Sequence, residues 1–125
     1  MKEIITADNA PKAIGPYSAG VKSGGFIYLS GQLGIDPGTG TLVSDSLKDQ
    51  TFQIMKNIKA VLVSAGTDMD AVVKTTIFLT DMKDFKKVNQ IYSEFFTGDF
   101  PARSTVSVKE LPLKGKVEIE VIARE

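Results

Sequence analysis

Cysteine, histidine and tryptophan are absent from the chain. Without cysteine there is no disulfide and no thiolate nucleophile, and without histidine no Ser-His-Asp triad. Zinc sites built on Cys or His ligands fall with them. If the chain is an enzyme, its proton transfers must run through Asp, Glu, Tyr, Lys or water. An all-carboxylate magnesium site is not formally excluded, but no clustered acidic motif marks one, so neither metal nor cofactor is expected. Long hydrophobic runs are missing too. Nothing approaches the ~20 apolar residues of a membrane span, and no basic start leads into an apolar stretch, so the chain reads as soluble and cytoplasmic with no membrane partner. Net charge is also lacking: Lys+Arg and Asp+Glu number 15 each. The bulk attraction of most nucleic-acid binders is therefore absent, and a nucleic-acid partner is not expected, although a local basic patch would be compatible with this balance.

What is present is a 42% hydrophobic chain with enough apolar mass for one core, read as a single domain over residues 1–125. No repeat, low-complexity tract or linker interrupts it. Lys2 to Thr6 suits a short edge strand. Asn9-Ala10-Pro11 and Gly15-Pro16 then make a rigid, turn-rich arm that delivers Tyr17 and Ser18. Tyr17 to Lys22 and Phe26 to Ser30 read as two strands broken at Ser23-Gly24-Gly25, a hairpin signal, with Ser30-Gly31-Gln32 at the end of the second. Asp36-Pro37-Gly38-Thr39-Gly40 is a turn.

From Ser46 to Ala65 the period becomes helical, with Leu47, Ile54, Ile58, Val61, Leu62 and Ala65 in one stripe. Ser44 or Asp45 can cap its start, and Gly66 suits a left-handed stop. Val72 to Leu79 is a β-branched strand. Val73, Ile77 and Leu79 are placed on one of its faces, Val72 and Phe78 on the other. Asp81 or Asp84 can cap a second helix with the apolar face Phe85, Val88, Tyr92, Phe95 and Phe96, closed by Gly98. Val117 to Ala123 alternates as a last strand.

The run Phe100-Pro101-Ala102-Arg103-Ser104-Thr105-Val106 carries the strongest chemical hint. Pro101 ends the preceding element, and from Ala102 the side chains alternate, with Arg103, Thr105 and Ser107 on one face. A guanidinium among small hydroxyls offers a planar donor fork that matches a carboxylate or phosphate, though an exposed surface arginine is the simpler reading. About six strands share two helices, which cover only one sheet face, so the second apolar face is expected to be buried on another copy of the chain, with clefts along the seams. Arg103 and Glu118 are both placed on the face away from the helices. A tight hairpin through Leu111–Gly115 would set them about 13 Å apart at ~3.3 Å per residue. They could then grip opposite ends of a small ligand, or be ladder charges satisfied by neighbours. Glu120 shares Glu118's direction and could replace it. Tyr17 can pack a turn, Ser30 can finish a strand and Asn89 can bond a loop without touching a ligand.

In combination these segments carry more. Ala13-Ile14-Gly15-Pro16-Tyr17-Ser18, Ser30-Gly31-Gln32, Val73 to Leu79, Asp84-Phe85 through Val88-Asn89 to Phe95-Phe96, Phe100-Pro101-Ala102-Arg103-Ser104 and Val117-Glu118-Ile119-Glu120 together closely resemble the RidA (YjgF) family over nearly the whole chain. The resemblance implies an α+β fold like that of the small trimeric chorismate mutases: a mixed sheet with two helices on one face, a homotrimer, and active sites between subunits. It implies cofactor-independent hydrolytic deamination of reactive 2-imino acids, such as 2-iminopropanoate and 2-iminobutanoate, or of their enamine tautomers, to 2-oxo acids and ammonia. In the family the arginine matching Arg103 holds the substrate carboxylate, and the glutamate matching Glu118 is associated with the attacking water. Positions matching Tyr17, Ser30, Gly31 and Asn89 line the pocket. Many members carry cysteine where this chain has Thr105, which reads as a change in pocket lining because the hydrolysis needs no thiol. The short 96–100 connection reshapes the rim. The main alternative is a non-catalytic ligand-sensing or partner-binding trimer that uses the same pocket. RNA cleavage, attached to some relatives, is disfavoured by zero net charge and the lack of histidine.

Overall fold

The computed structural model describes residues 1–125. Strands β1 (Glu3–Ile5), β2 (Gly20–Ser23), β3 (Phe26–Leu29), β4 (Val72–Leu79), β5 (Ala102–Ser107) and β6 (Val117–Arg124) form one six-stranded mixed sheet, ordered β1-β2-β3-β6-β4-β5. Helices α1 (Leu47–Ser64) and α2 (Phe85–Ser93) cover one of its faces. The expected α+β architecture is present, and no helix is long and apolar enough to cross a membrane.

Local chemistry explains most boundaries. Gly24 and Gly25 both take positive φ, 61° and 86°, as a two-residue hairpin turn between β2 and β3 requires. Ser46, rather than Ser44 or Asp45, caps α1, its hydroxyl accepting from the Asp49 N–H. Ser44 supports that cap, accepting from the Ser46 N–H and donating to the Asp49 carboxylate. At the far end Gly66 (φ 90°) and Thr67 return N–H bonds to Val63 and Leu62, which stops the helix as expected. Two polar side chains buried on α1 fix the long loop after β3. Asn57 donates to the Ile35 carbonyl (2.9 Å), while Gln50 donates to the Ser44 carbonyl (3.0 Å) and accepts from the Lys116 N–H (2.9 Å).

The core lies between helices and sheet. Ile27, Leu29, Thr75, Ile77, Leu79 and the alternating Val117, Ile119, Val121 and Ala123 point into it, against Ile54, Met55, Ile58, Val61 and Leu62 of α1. On the opposite face Phe26 is 40% and Tyr28 45% exposed, so nothing in a single copy covers them. Ile4, Val21, Tyr28 and Ile122 run across that face in register.

Besides the α1 cap, and the strand expected from Tyr17, which begins only at Gly20, three expectations need correction. Val72, not Val73, is buried with Ile77 and Leu79, because a register shift between Val72 and Lys74 inserts an extra residue and reverses the alternation. The second helix ends at Ser93, well short of Gly98, so Phe95 and Phe96 lie in the turn beyond it. The third correction matters most. β5 and β6 do not pair, because β4 lies between them. The β4–α2–β5 segment is a crossover, which returns β5 parallel to β4, whereas β6 enters antiparallel between β3 and β4. Arg103 is therefore opposite Thr75, a core-facing residue, while Glu118 is opposite Phe78 on the open face. The two charged residues leave the sheet on opposite sides.

Candidate functional site

The residues singled out from sequence fall into two groups. The first lines a cleft of about 670 Å³ on the open side of the sheet, which Tyr17, Ser30, Gly31, Glu118 and Glu120 all reach. Beyond β3 the chain stays beside β6: the Gln32 N–H donates to the Ile119 carbonyl (2.8 Å), and the Ile119 N–H returns a bond to the Gln32 carbonyl (3.1 Å). This lays the backbone of Gly31 against the Glu118 side chain. A Cβ on Gly31 would overlap Glu118 Oε1, so the position tolerates only glycine while the carboxylate stays where it is.

Ser30 donates its hydroxyl to the Ser18 carbonyl (2.6 Å), tying the end of β3 to the arm and leaving its oxygen lone pairs for a ligand donor. Gly15, at φ 122°, turns the arm so that the Tyr17 hydroxyl accepts from the Ile14 N–H (3.3 Å). The Glu118 side chain has no hydrogen-bond or ion-pair partner within the chain. Burial, and then the neighbouring Glu120 carboxylate, raise its pKa above the ordinary value. A carboxylate of this kind is a better base than an exposed one.

The second group sits at the β5 edge beneath α2. Arg103 Nη1 donates to Asn89 Oδ1 (2.7 Å), and the guanidinium carbon lies 5.4 Å from the Phe85 ring centroid and 5.2 Å from that of Tyr92. None of the chain's three ion pairs includes Arg103. A cleft of about 450 Å³, lined by Asn89, Tyr92, Ser93, Phe100, Pro101 and Arg103, opens beside it. Thr105 follows on the same face, opposite Ile77, with its Oγ1 buried and without any partner. Asn89 and Arg103 are thus joined directly, while Tyr17, Ser30, Gly31 and Glu118 are gathered elsewhere.

Two features escaped the sequence reading. The aromatic bracket around Arg103 is one, because the parallel β4–β5 pairing that brings Phe85 and Tyr92 over the guanidinium has no local signature. Leu113, in the connection between β5 and β6, lies at the mouth of the larger cleft, 60% exposed, in the tight turn Pro112–Lys114, and it and Lys114 both adopt left-handed backbone, φ 58° and 59°. Ile14, also exposed, faces the same mouth.

The geometry has close counterparts. A family profile described as "Endoribonuclease L-PSP" matches residues 7–125. The Reactive Intermediate Deaminase A of Arabidopsis thaliana chloroplasts is 50% identical over 122 residues, which is 98% of this chain and 65% of that protein. The crystal structure of YyfA from Yersinia pestis, of the conserved Rid protein family, superposes with a TM-score of 0.98 at 52% identity, covering 100% of both chains. That of TdcF from E. coli, with bound serine, gives 0.93 at 39% identity over 98% of each. With the profile spanning all but the first few residues and relatives at this identity covering nearly all of this chain, the chain belongs to the Rid family, the group of RidA and YjgF.

Proposed function

We propose that the chain hydrolyses reactive 2-imino acids to 2-oxo acids and ammonia, at sites completed only when Arg103 of one copy meets the Glu118 cleft of another. The observation that carries this reading is the separation of the two half-sites. A guanidinium with no carboxylate partner and a carboxylate with no cation partner occupy opposite faces of one sheet. One copy alone cannot bring them to the same small molecule. The uncovered Phe26 and Tyr28 face supports association of copies, and a closed homotrimer satisfies both needs by symmetry.

In this mechanism Arg103 holds the substrate carboxylate. Asn89 occupies one N–H of Nη1, so Nε and Nη2 remain for a two-pronged grip. As the oxygen of a water bonds the C=N carbon, Glu118 accepts a proton from that water and passes it to the nitrogen, giving a neutral carbinolamine. Glu118 then takes the carbinolamine hydroxyl proton and delivers it to the amino nitrogen as the C–N bond breaks, so that ammonia leaves and the carbonyl of the 2-oxo acid remains. Positioning and proton transfer each contribute on the order of a hundredfold or more, enough for an already reactive imine. Tyr17, Ser30 and the Gly31 backbone form the wall against which the substrate lies, and Thr105 completes the lining beside Arg103. The substrate is small and soluble, and the zero net charge gives no support to a nucleic-acid partner.

A second reading is favoured by one observation: TdcF, a related structure, carries an intact amino acid, as a ligand sensor would. The test generates 2-iminopropanoate from alanine with an amino-acid oxidase and traps the imine with semicarbazide. Deamination predicts that added protein suppresses the semicarbazone and that Arg103→Ala removes the effect. Unchanged semicarbazone formation, together with binding of small amino or oxo acids, would establish the sensor instead.

A further inference from the structure

We infer that Tyr92 and Thr75 are positioning residues for Arg103, the hydroxyl bond between them locking the ring against which the guanidinium lies. The inference rests on the reading of Arg103 as the carboxylate anchor.

Phe85, Asn89 and Tyr92 follow one another at i, i+4 and i+7, a spacing that lines ring, amide and ring along one stripe of α2. The guanidinium lies beneath all three. Because arginine has donors only, Asn89 must turn its oxygen to it, and the Asn89 amide is thereby a holder of Arg103 before it is a ligand contact. Tyr92 is fixed in turn. Its hydroxyl and that of Thr75 are 2.8 Å apart, and both residues are almost fully buried. Thr75 is the cross-strand neighbour of Arg103, so this bond runs from the strand beside the arginine to the ring above it.

Packing alone does not call for these hydroxyls. Phenylalanine and valine fill nearly the same volumes without the cost of burying polar groups. What the pair adds is a fixed ring orientation, and through it a guanidinium that has already given up its rotamer freedom when the fold forms. An anchor aimed in advance loses less on gripping a ligand.

The test uses pyruvate, a 2-oxo acid carrying the carboxylate of the proposed substrate, titrated into the protein and followed by NMR, with KM and kcat measured alongside. Tyr92→Phe and Thr75→Val are each expected to weaken pyruvate binding about 3- to 10-fold, raising KM with little change in kcat. The double variant should be no worse than either single, because one bond is lost in all three. Thr75→Ser, which keeps the hydroxyl, should restore the binding that Thr75→Val loses. Wild-type affinity in both single variants, with binding lost in Arg103→Ala, would overturn the positioning role and leave the anchor standing. Wild-type affinity in Arg103→Ala would overturn the anchor itself. Should the variants not fold, the wild-type protein still decides: the buried hydroxyl proton shared by Thr75 and Tyr92 is expected to exchange slowly enough to be seen by NMR and to shift when pyruvate binds, and a rapidly exchanging hydroxyl, or one indifferent to pyruvate, overturns the inference.

Discussion

Gly31 lies directly against the Glu118 carboxylate, and a methyl group added there would overlap Oε1 and crowd the carboxyl carbon. The obstructing atoms are the end of a flexible side chain, so Gly31→Ala should fold with a stability within about 1 kcal/mol of wild type. Glu118 would have to swing aside. Imine hydrolysis is expected to drop by about a hundredfold, close to the loss in Glu118→Gln. Parallel melting curves and trapping assays would check both halves.

The raised pKa of Glu118 sets a direction for stability against pH. Burial, and after it Glu120, make the charged form unfavourable in the fold. This contribution to stability is present while the carboxyl is protonated and is lost as pH rises through its elevated pKa. Glu118→Gln should therefore raise the melting temperature at about pH 8 and leave it unchanged at about pH 4. The acid limb of kcat/KM in wild type should lie above the ordinary 4.5, and Glu120→Gln should move it towards that value. Melting and rate profiles across the acid range would test the sign.

Opposite-face placement of Arg103 and Glu118 makes complementation a direct test of sites between copies. Arg103→Ala and Glu118→Gln should each be inactive alone. Unfolded together and refolded, they should form mixed oligomers in which about a quarter of the sites draw both intact residues from different copies. Activity near a quarter of wild type is the expected result. A mixture as inactive as its parents would exclude shared sites.

Thr105 offers a prediction in the other direction. Its Oγ1 is buried and unpaired, and valine has nearly the same shape. Thr105→Val should stabilise the fold by about 1 kcal/mol, read as a higher melting temperature, since it removes an unsatisfied polar atom.

Most of the elements were legible because their signals are local. The apolar stripe of α1, the Gly24-Gly25 turn and the strict alternation of Val117, Ile119, Val121 and Ala123 each state their conformation within a few residues. What failed was non-local. Nothing between Ser107 and Val117 reveals that β4 will separate the strands they belong to, and the short connection alone suggests a hairpin. The face that Arg103 takes, and with it the contacts with Phe85, Asn89 and Tyr92, depends on that pairing. The Val72–Val73 reversal has the same root, since a bulge depends on the strand alongside. The grouping of Tyr17, Ser30, Gly31 and Glu118 was readable through family resemblance, while its physical reason, the Gln32–Ile119 bridge, was not.

Leu113 and Lys114 impose a trade-off. A left-handed backbone costs non-glycine residues roughly 1–2 kcal/mol each, and glycine or asparagine at 113 would relieve it. Either replacement would also strip the cleft's mouth of a hydrophobic wall that Leu113 shares with Ile14. Thermostabilising substitutions at this corner will therefore widen the range of molecules admitted.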